Sequence, residues 1–136
     1  MSYAVSAALQ AAIHARLAAH PPLADLLGAA IYDALPAGPL PPLYAVLGPE
    51  TARDRSDGTA AGALHHITVS VVSDAAGFRS AKLAAAAICD ALAGTAPALD
   101  RGRLVGLWFL RARAKRIGSG EARRIDLVFR ARSEDV

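Results

Sequence analysis

Alternation of apolar and polar residues is clearest in the last third of the chain. In the segment 122–132, apolar residues at every second position from Ile125 onward alternate with residues that are mostly charged, which predicts a strand with one buried and one solvated face. The segment 103–116 begins as a nearly continuous apolar run and then alternates basic residues with alanine. This change is typical of a strand that is buried on both faces at one end and solvated at the other. The glycine-containing run Ile117–Glu121 between the two segments predicts a hairpin loop.

Two amphipathic helices are predicted from apolar residues that are spaced three and four positions apart. The first covers Tyr3–Ala19, and Ser2 is its expected N-cap. The second runs from about Gly77 to Ala93, with Gly94 at the C′ position. A short helical turn is expected between them over Leu23–Leu27.

Two further strands are predicted, at Leu43–Gly48 and at Leu64–Ser73. A short extended piece, Ile31–Asp33, precedes a stiff proline-rich connection to the first of them. The polar and unpatterned stretch 49–63 between the two strands predicts a long mobile loop. Loops of this length are usually functional or become ordered on binding.

The order helix, strand, strand, helix, strand, strand predicts a single α+β domain over residues 1–136. Its core is expected to be a four-stranded antiparallel sheet on which the N-terminal helix and the central helix pack. The outer strands of such a sheet carry unpaired backbone groups, which need cover or a neighbour. Alanine-rich helices bury little area per residue, so oligomerisation is a plausible further source of stability.

Composition and charge narrow the class of protein. The 136-residue chain has a formal net charge of +3, and its basic residues are sparser than the clusters of a dedicated nucleic-acid binder. The single cysteine, Cys89, excludes an internal disulfide and fits a reducing cytosol. No signal peptide is recognisable, and no run approaches the ~18 uncharged apolar residues of a membrane span. We therefore expect a soluble protein that is made in the cytoplasm and does not associate with a membrane.

The sequence contains no recognisable motif for catalysis, metal binding or cofactor binding. His65 and His66 are adjacent on a predicted strand, so their side chains point to opposite faces and cannot share a metal ion. The run Gly118–Gly120 lacks the spacing of a nucleophile elbow, a dinucleotide fingerprint or a phosphate loop. Carboxylates lie mostly in predicted loops, and Cys89 is spaced to pack beside Leu92. No catalytic, metal or cofactor residue is predicted.

One basic constellation stands out in the two C-terminal strands. If these strands pair, two sets of cations can share one face, namely Arg111, Arg113 and Lys115 from the first strand and Arg124, Arg130 and Arg132 from the second. Such a stripe can track a phosphate backbone. The alternative is a solubilising face that is partly paired with Asp126 and Glu121. No aromatic residue interleaves with these charges in the sequence pattern, which argues against base stacking.

Several features occur in the order that is found in one known family. They are an alanine-rich N-terminal helix, Ile31–Pro36, Pro42–Gly48, the strand His65–Val69, a helix closing with Ala91–Leu92, the run Gly102–Val105 and a final strand ending in Phe129–Arg132. By this order and spacing the chain, from about Tyr3 to Glu134, resembles the tail-terminator or tail-completion proteins of long-tailed phages with flexible tails and of the related gene transfer agents.

The resemblance implies a structural virion protein without enzymatic activity or a cofactor. Members of the family form six-fold rings that cap the finished tail tube, stop its polymerisation and dock it to the head connector, and DNA later passes through the ring. The implied partners are copies of this chain in a hexamer, the tail tube protein, the head–tail connector or stopper protein, and double-stranded DNA in transit. The implied location is the neck of a virion or phage-like particle that is assembled in the host cytoplasm.

The predicted loop 49–63 is the candidate assembly contact in this scheme. We expect its charged residues, Arg53, Asp54, Arg55 and Asp57, to meet the tail tube or a neighbouring subunit, and the basic stripe to face the DNA channel or an interface. Two alternatives stay open at this point. One is a small basic DNA-binding protein that acts as a monomer or dimer, and the other is a small hydrolase that uses His65 or His66.

Overall fold

The computed structural model describes residues 3–58, 61–93 and 97–136. In these ranges the chain forms three helices and five strands. In chain order they are α1 (Ser6–Ala18), α2 (Pro21–Leu27), β1 (Ile31–Tyr32), β2 (Leu43–Asp54), β3 (Ala61–Ser73), α3 (Arg79–Leu92), β4 (Arg103–Ile117) and β5 (Ala122–Asp135). The predicted α+β class is confirmed. None of the described helices has the length and apolarity that a membrane crossing requires.

The strands form one sheet in the order β1-β2-β3-β5-β4. All neighbours pair antiparallel except β1, which pairs parallel with Ala45 and Val46 of β2. The sheet therefore has five strands and is mixed, and the prediction of four antiparallel strands was wrong in this detail. The reason is length, because a strand of two residues, Ile31–Tyr32, is too short to show a period of two.

The stretch that was predicted to be a loop, 49–63, is mostly strand. β2 continues to Asp54 after a register shift between Leu47 and Glu50, and β3 begins at Ala61. The prediction was wrong because Gly48-Pro49 is typical of the end of a strand, whereas both residues are also tolerated in a bulge. Beyond the bulge the strand is largely solvated, so its composition resembles that of a loop. Only residues 55–60 connect the two strands.

The C-terminal hairpin has the form that the alternation predicts. β4 pairs with β5 along its length, from Arg103 opposite Glu134 to Ile117 opposite Ala122. The turn between them contains Gly118 and Gly120, with φ angles of 64° and 81°. Glycine adopts such angles without the steric cost that other residues pay, so the predicted hairpin is confirmed.

The hydrophobic core lies between the helices and one face of the sheet, which we call the inner face. Its fully buried side chains include Leu9, Ile13 and Leu17 of α1, Ile88 of α3, and Val69 and Val71 of β3. α3 contributes mainly alanine to this core. Since alanine is short, it allows the helix to lie close to the sheet, and the sheet supplies most of the large apolar side chains.

A buried polar network joins the start of α1 to the sheet at the margin of the hydrophobic core. His65 is fully buried, and its Nδ1 lies 2.9 Å from Glu50 Oε2 while its Nε2 lies 2.9 Å from Ser133 Oγ. An ionised carboxylate only accepts hydrogen bonds, so Nδ1–H donates to Glu50, and Nε2 forms the second hydrogen bond of the ring with the Ser133 hydroxyl. Tyr3 Oη and Ser6 Oγ donate to the second oxygen of Glu50, at 2.7 and 2.6 Å. The network thereby holds the start of α1 against β2, β3 and β5.

The two adjacent histidines provide a test of this network. We expect His65→Ala to lower the free energy of unfolding by about 2–3 kcal/mol, because Glu50 and Ser133 would lose their partners in a buried setting. His66→Ala is the matched control, since His66 lies on the solvated face, and its effect should stay within about 0.5 kcal/mol. Urea unfolding followed by circular dichroism measures both. Equal effects for the two variants would contradict the structural role of His65.

Candidate assembly and DNA-facing surface

The predicted basic stripe lies on the side of the sheet opposite the helices, which we call the outer face. Directly opposed residues of antiparallel strands point to the same face, and Arg113 is opposite Asp126 while Lys115 is opposite Arg124. The same register aligns the remaining basic residues, so that the outer face carries Arg111, Arg113, Lys115, Arg124, Arg130 and Arg132. The two sets of cations are therefore brought together. What this face contacts stays a prediction.

Asp126 neutralises part of the stripe. Its carboxylate accepts hydrogen bonds from Arg124 Nε at 2.8 Å and from Ser70 Oγ at 2.6 Å, and Lys115 Nζ lies 3.6 Å away. Burial alone would raise the pKa of Asp126, but the hydrogen bonds from Ser70 and Arg124 and the charges of Arg124 and Lys115 hold the pKa below its usual value. These ion pairs are the ones that the solubilising alternative requires, so they reduce the charge available to an external phosphate.

Four guanidinium groups of the stripe, those of Arg111, Arg113, Arg130 and Arg132, form no ion pair with a carboxylate within the described ranges. Arg111 and Arg113 are the two of these that share one site. They line one shallow depression of about 280 Å³, together with Lys115, Arg124, Pro49, Thr68, Asp126 and Val128. A depression with several cations on its rim is suited to a phosphate group of a passing polyanion.

An aromatic residue shares this face, contrary to the sequence interpretation. Trp108 lies opposite Arg130, and the Arg130 guanidinium lies 5.6 Å from the indole ring centre. The interpretation was wrong because β4 carries an extra residue, Leu110, between Phe109 and Arg111. This bulge shifts the alternation by one position, so Trp108 and Arg111 point to the same face.

The sheet edge formed by β4 exposes an unusual amount of apolar surface. Four of its large side chains are 39–52% exposed, namely Val105, Trp108, Phe109 and Leu110. β4 is the last strand of the sheet, and no described strand pairs with its free edge. The backbone donors and acceptors along this edge therefore have no strand partner. Exposed apolar patches on open edges mark interaction sites. The sequence interpretation missed this patch, because it assigned the apolar run of β4 to a strand end buried on both faces.

The four candidate residues of the predicted loop lie in two different environments. Arg53 and Asp54 belong to β2, and Arg55 and Asp57 belong to the connection that follows. Asp54 accepts a hydrogen bond of 2.6 Å from Ser56 Oγ, which lowers its pKa. All four residues are exposed. They remain a candidate contact surface, but half of it is on a strand.

Glu50, His65 and Ser133 have the connectivity of a carboxylate–histidine–serine triad, which is an arrangement that a hydrolase using His65 could employ. The serine of such a triad must reach a substrate carbonyl, but Ser133 is only 1% exposed and His65 is fully buried. This constellation therefore cannot act as a nucleophilic site in the described conformation. His66 lies on the outer face, across the sheet from His65, as the adjacent positions predict.

Cys89 is a packing residue in the structure. It is half-buried and contacts the core. Burial, and next the neighbouring charge of Asp90, raise the pKa of its thiol, so the reactive thiolate is disfavoured. Within the described part of the chain, no three His, Cys, Asp or Glu side chains come together as a metal site would require.

Comparison with known proteins identifies the family. The family model described as "Tail completion protein gp17" matches residues 11–134, which is most of the chain. The chain belongs to this family. The predicted tail-completion family is thereby confirmed, while a search of curated proteins gives no match.

A solved structure extends the likeness to the whole fold of this tail completion protein. The structure is described as "Virion of native gene transfer agent (GTA) particle". One of its chains is 59% identical to this chain and superposes with a TM-score of 0.93. The alignment covers 98% of this chain and 99% of the other. At this identity and coverage the comparison concerns the complete domain and not a shared substructure.

The ion pairs of Asp126 give a pH-dependent prediction. Since its pKa in the folded protein is lowered, Asp126 stabilises the fold above its unfolded pKa of about 4, and this contribution is lost as the pH falls through the folded value. We expect Asp126→Asn to be less stable than the wild type by about 1 kcal/mol at pH 7. The difference should shrink as the pH falls through the lowered pKa of folded Asp126, and urea unfolding at a series of pH values measures it. Glu121→Gln, an exposed change in the adjacent turn, should show no such trend.

Proposed function

We propose that this tail completion protein forms a ring at the end of the tail tube of a phage-like particle. The ring ends polymerisation of the tube and joins the tail to the head connector, and DNA passes through it. The observation that carries the proposal is family membership combined with an open apolar sheet edge. Such an edge requires a partner, and a chain that presents one repeatedly to copies of itself can close into a ring.

The outer face is suited to line the channel of such a ring. It carries six cations, of which four, Arg111, Arg113, Arg130 and Arg132, have no carboxylate partner in the described part of the chain. The helices pack on the inner face over β3 and β5, so that part of the inner face cannot take this role. A mild and partly neutralised positive charge attracts DNA without holding it tightly, since the affinity of a protein for DNA rises with the number of phosphates it neutralises.

A structural role also accounts for the chemistry of the chain. The described histidines, carboxylates and Cys89 take part in packing, ion pairs or solvated surface. A protein that acts by occupying the end of a tube needs shape and contact surfaces, and it does not need converging acid and base groups. We therefore propose that it has no enzymatic activity and acts within the virion, as a component of the neck.

Removing the protein from a producing strain tests the proposal. We expect particles without it to have tails of variable and excessive length, since nothing stops polymerisation, together with heads that lack tails. Electron microscopy of tail lengths is the measurement, and restoring the wild-type chain is the control. Tails of normal length that are joined to heads in its absence would refute the proposal. Gold labelling of the tagged protein should mark the junction of head and tail.

The second candidate is a small DNA-binding protein, which the basic outer face favours. The two candidates differ in how binding to a DNA duplex depends on salt. A dedicated binder that contacts six phosphates loses affinity with a log–log slope of about −5. We expect the tail completion protein to show weak binding with a slope no steeper than about −2, because Asp126 neutralises part of the face. Fluorescence anisotropy measures the slope of DNA affinity against salt concentration, with Asp126→Asn as a comparison. A steep slope for the wild type would favour the second candidate.

A further inference from the structure

Seven of the exposed large apolar side chains fall into two groups at opposite edges of the sheet. One group is the β4 patch described above. The other lies on α2 and in the connection between β1 and β2, where Leu26, Leu35 and Leu40 are 37–50% exposed. Two separate apolar surfaces at opposite ends of one sheet are what a head-to-tail contact between identical copies requires.

Both edges also offer backbone groups for strand pairing. β1 covers only Ala45 and Val46 of β2, and no other described strand pairs with that side of β2. The segment Glu50–Arg53 is therefore an open edge with respect to the described strands. On β4, the register shifts at Val105 and Leu110 isolate the regular run Gly106–Phe109. The two segments are each four residues long.

The charges of the two edges favour a contact between unlike edges over a contact between two β4 edges. Segment 101–117, which contains β4, has six basic residues and no acidic residue, whereas segment 21–57, which contains β1 and β2, has five acidic residues and two arginines. β4 itself carries five of the six basic residues, so contact between two β4 edges would bring ten cations together. Contact between unlike edges brings opposite charges together. Such complementarity raises the rate at which two copies associate and helps to fix the register of the contact.

We propose that β4 of one copy pairs with β2 of the next copy, with Gly106–Phe109 antiparallel to Glu50–Arg53. The inference rests on the proposed ring, because it takes neighbouring copies to be related by rotation about an axis along the strands. Under that rotation, residues that belong to the same row across the strands of the sheet become neighbours at the interface. Trp108, Arg130, His66 and Thr51 form one row across the sheet, so Trp108 of one copy meets Thr51 of the next.

Cysteine pairs in assembled particles test the strand pairing. In a Cys89→Ala background, particles that contain both Thr51→Cys and Trp108→Cys copies should give disulfide-linked pairs with one copy of each variant. The double variant should give a ladder of linked chains, and each single variant should give monomers. Thr51→Cys with Ala86→Cys is the control, because Ala86 is exposed on α3, far from either edge, and should give no ladder.

Two outcomes would overturn the inference. Dimers from Trp108→Cys alone would show that β4 pairs with itself, and an absence of links in particles containing both variants would exclude the β2–β4 contact. Either result leaves the proposed function intact if tail length still depends on the protein. Loss of that dependence would refute the function irrespective of the links.

Discussion

The pairing of β5 with β3 on one side and β4 on the other is the constraint on which the rest of the structure depends. β5 is hydrogen-bonded on both sides along nearly its whole length. Because side chains alternate between faces, its register decides which residues lie against the helices. A shift by one residue would expose Leu127 and Phe129 and direct Arg124 and Arg130 into the core. The apolar residues thus fix the register, and the basic outer face follows from it.

Two buried polar residues hold the helical layer onto this sheet. His65 connects β3 through Glu50 and Ser133 to the start of α1. Arg123 acts at the other end of the sheet, where it donates to the carbonyls of Gly120 and Ala76, at 2.7 and 2.6 Å. Both contacts join elements that are distant in the chain. They give a rigid body whose edges and faces are presented in a fixed relation, which is what a repeated contact between copies needs.

The edge strand β4 combines features that would be harmful in a monomer. It is long, open on one side, and apolar over half its length. Its bulges at Val105 and Leu110 interrupt the regular ladder, and its other half is strongly basic. Bulges and charges are common means of preventing indiscriminate pairing of edges. β4 is thus protected against pairing with the β4 of another copy, and yet it exposes aromatic residues. This combination is consistent with pairing to one specific edge of a different kind.

Local patterns in the sequence determined much of the secondary structure. The alternation around Leu127, the hairpin glycines and the helix periodicity indicated both C-terminal strands and the two longer helices, because each signal lies within one element. The order of short motifs was also enough to recognise the family. The six cations were assigned to one face by the same alternation, which holds wherever a strand is regular.

Only the tertiary structure decided the rest. The register shift near Pro49 extends β2 into a predicted loop, and the bulge at Leu110 brings Trp108 onto the basic face. Bulges are stabilised by the partner strand, so a single segment does not reveal them. Likewise, His65 and Ser133 are 68 residues apart in the chain, and their contact exists because β3 and β5 are adjacent in the sheet. Local sequence determines the elements, but the pairing partner of each strand determines which residues share a surface.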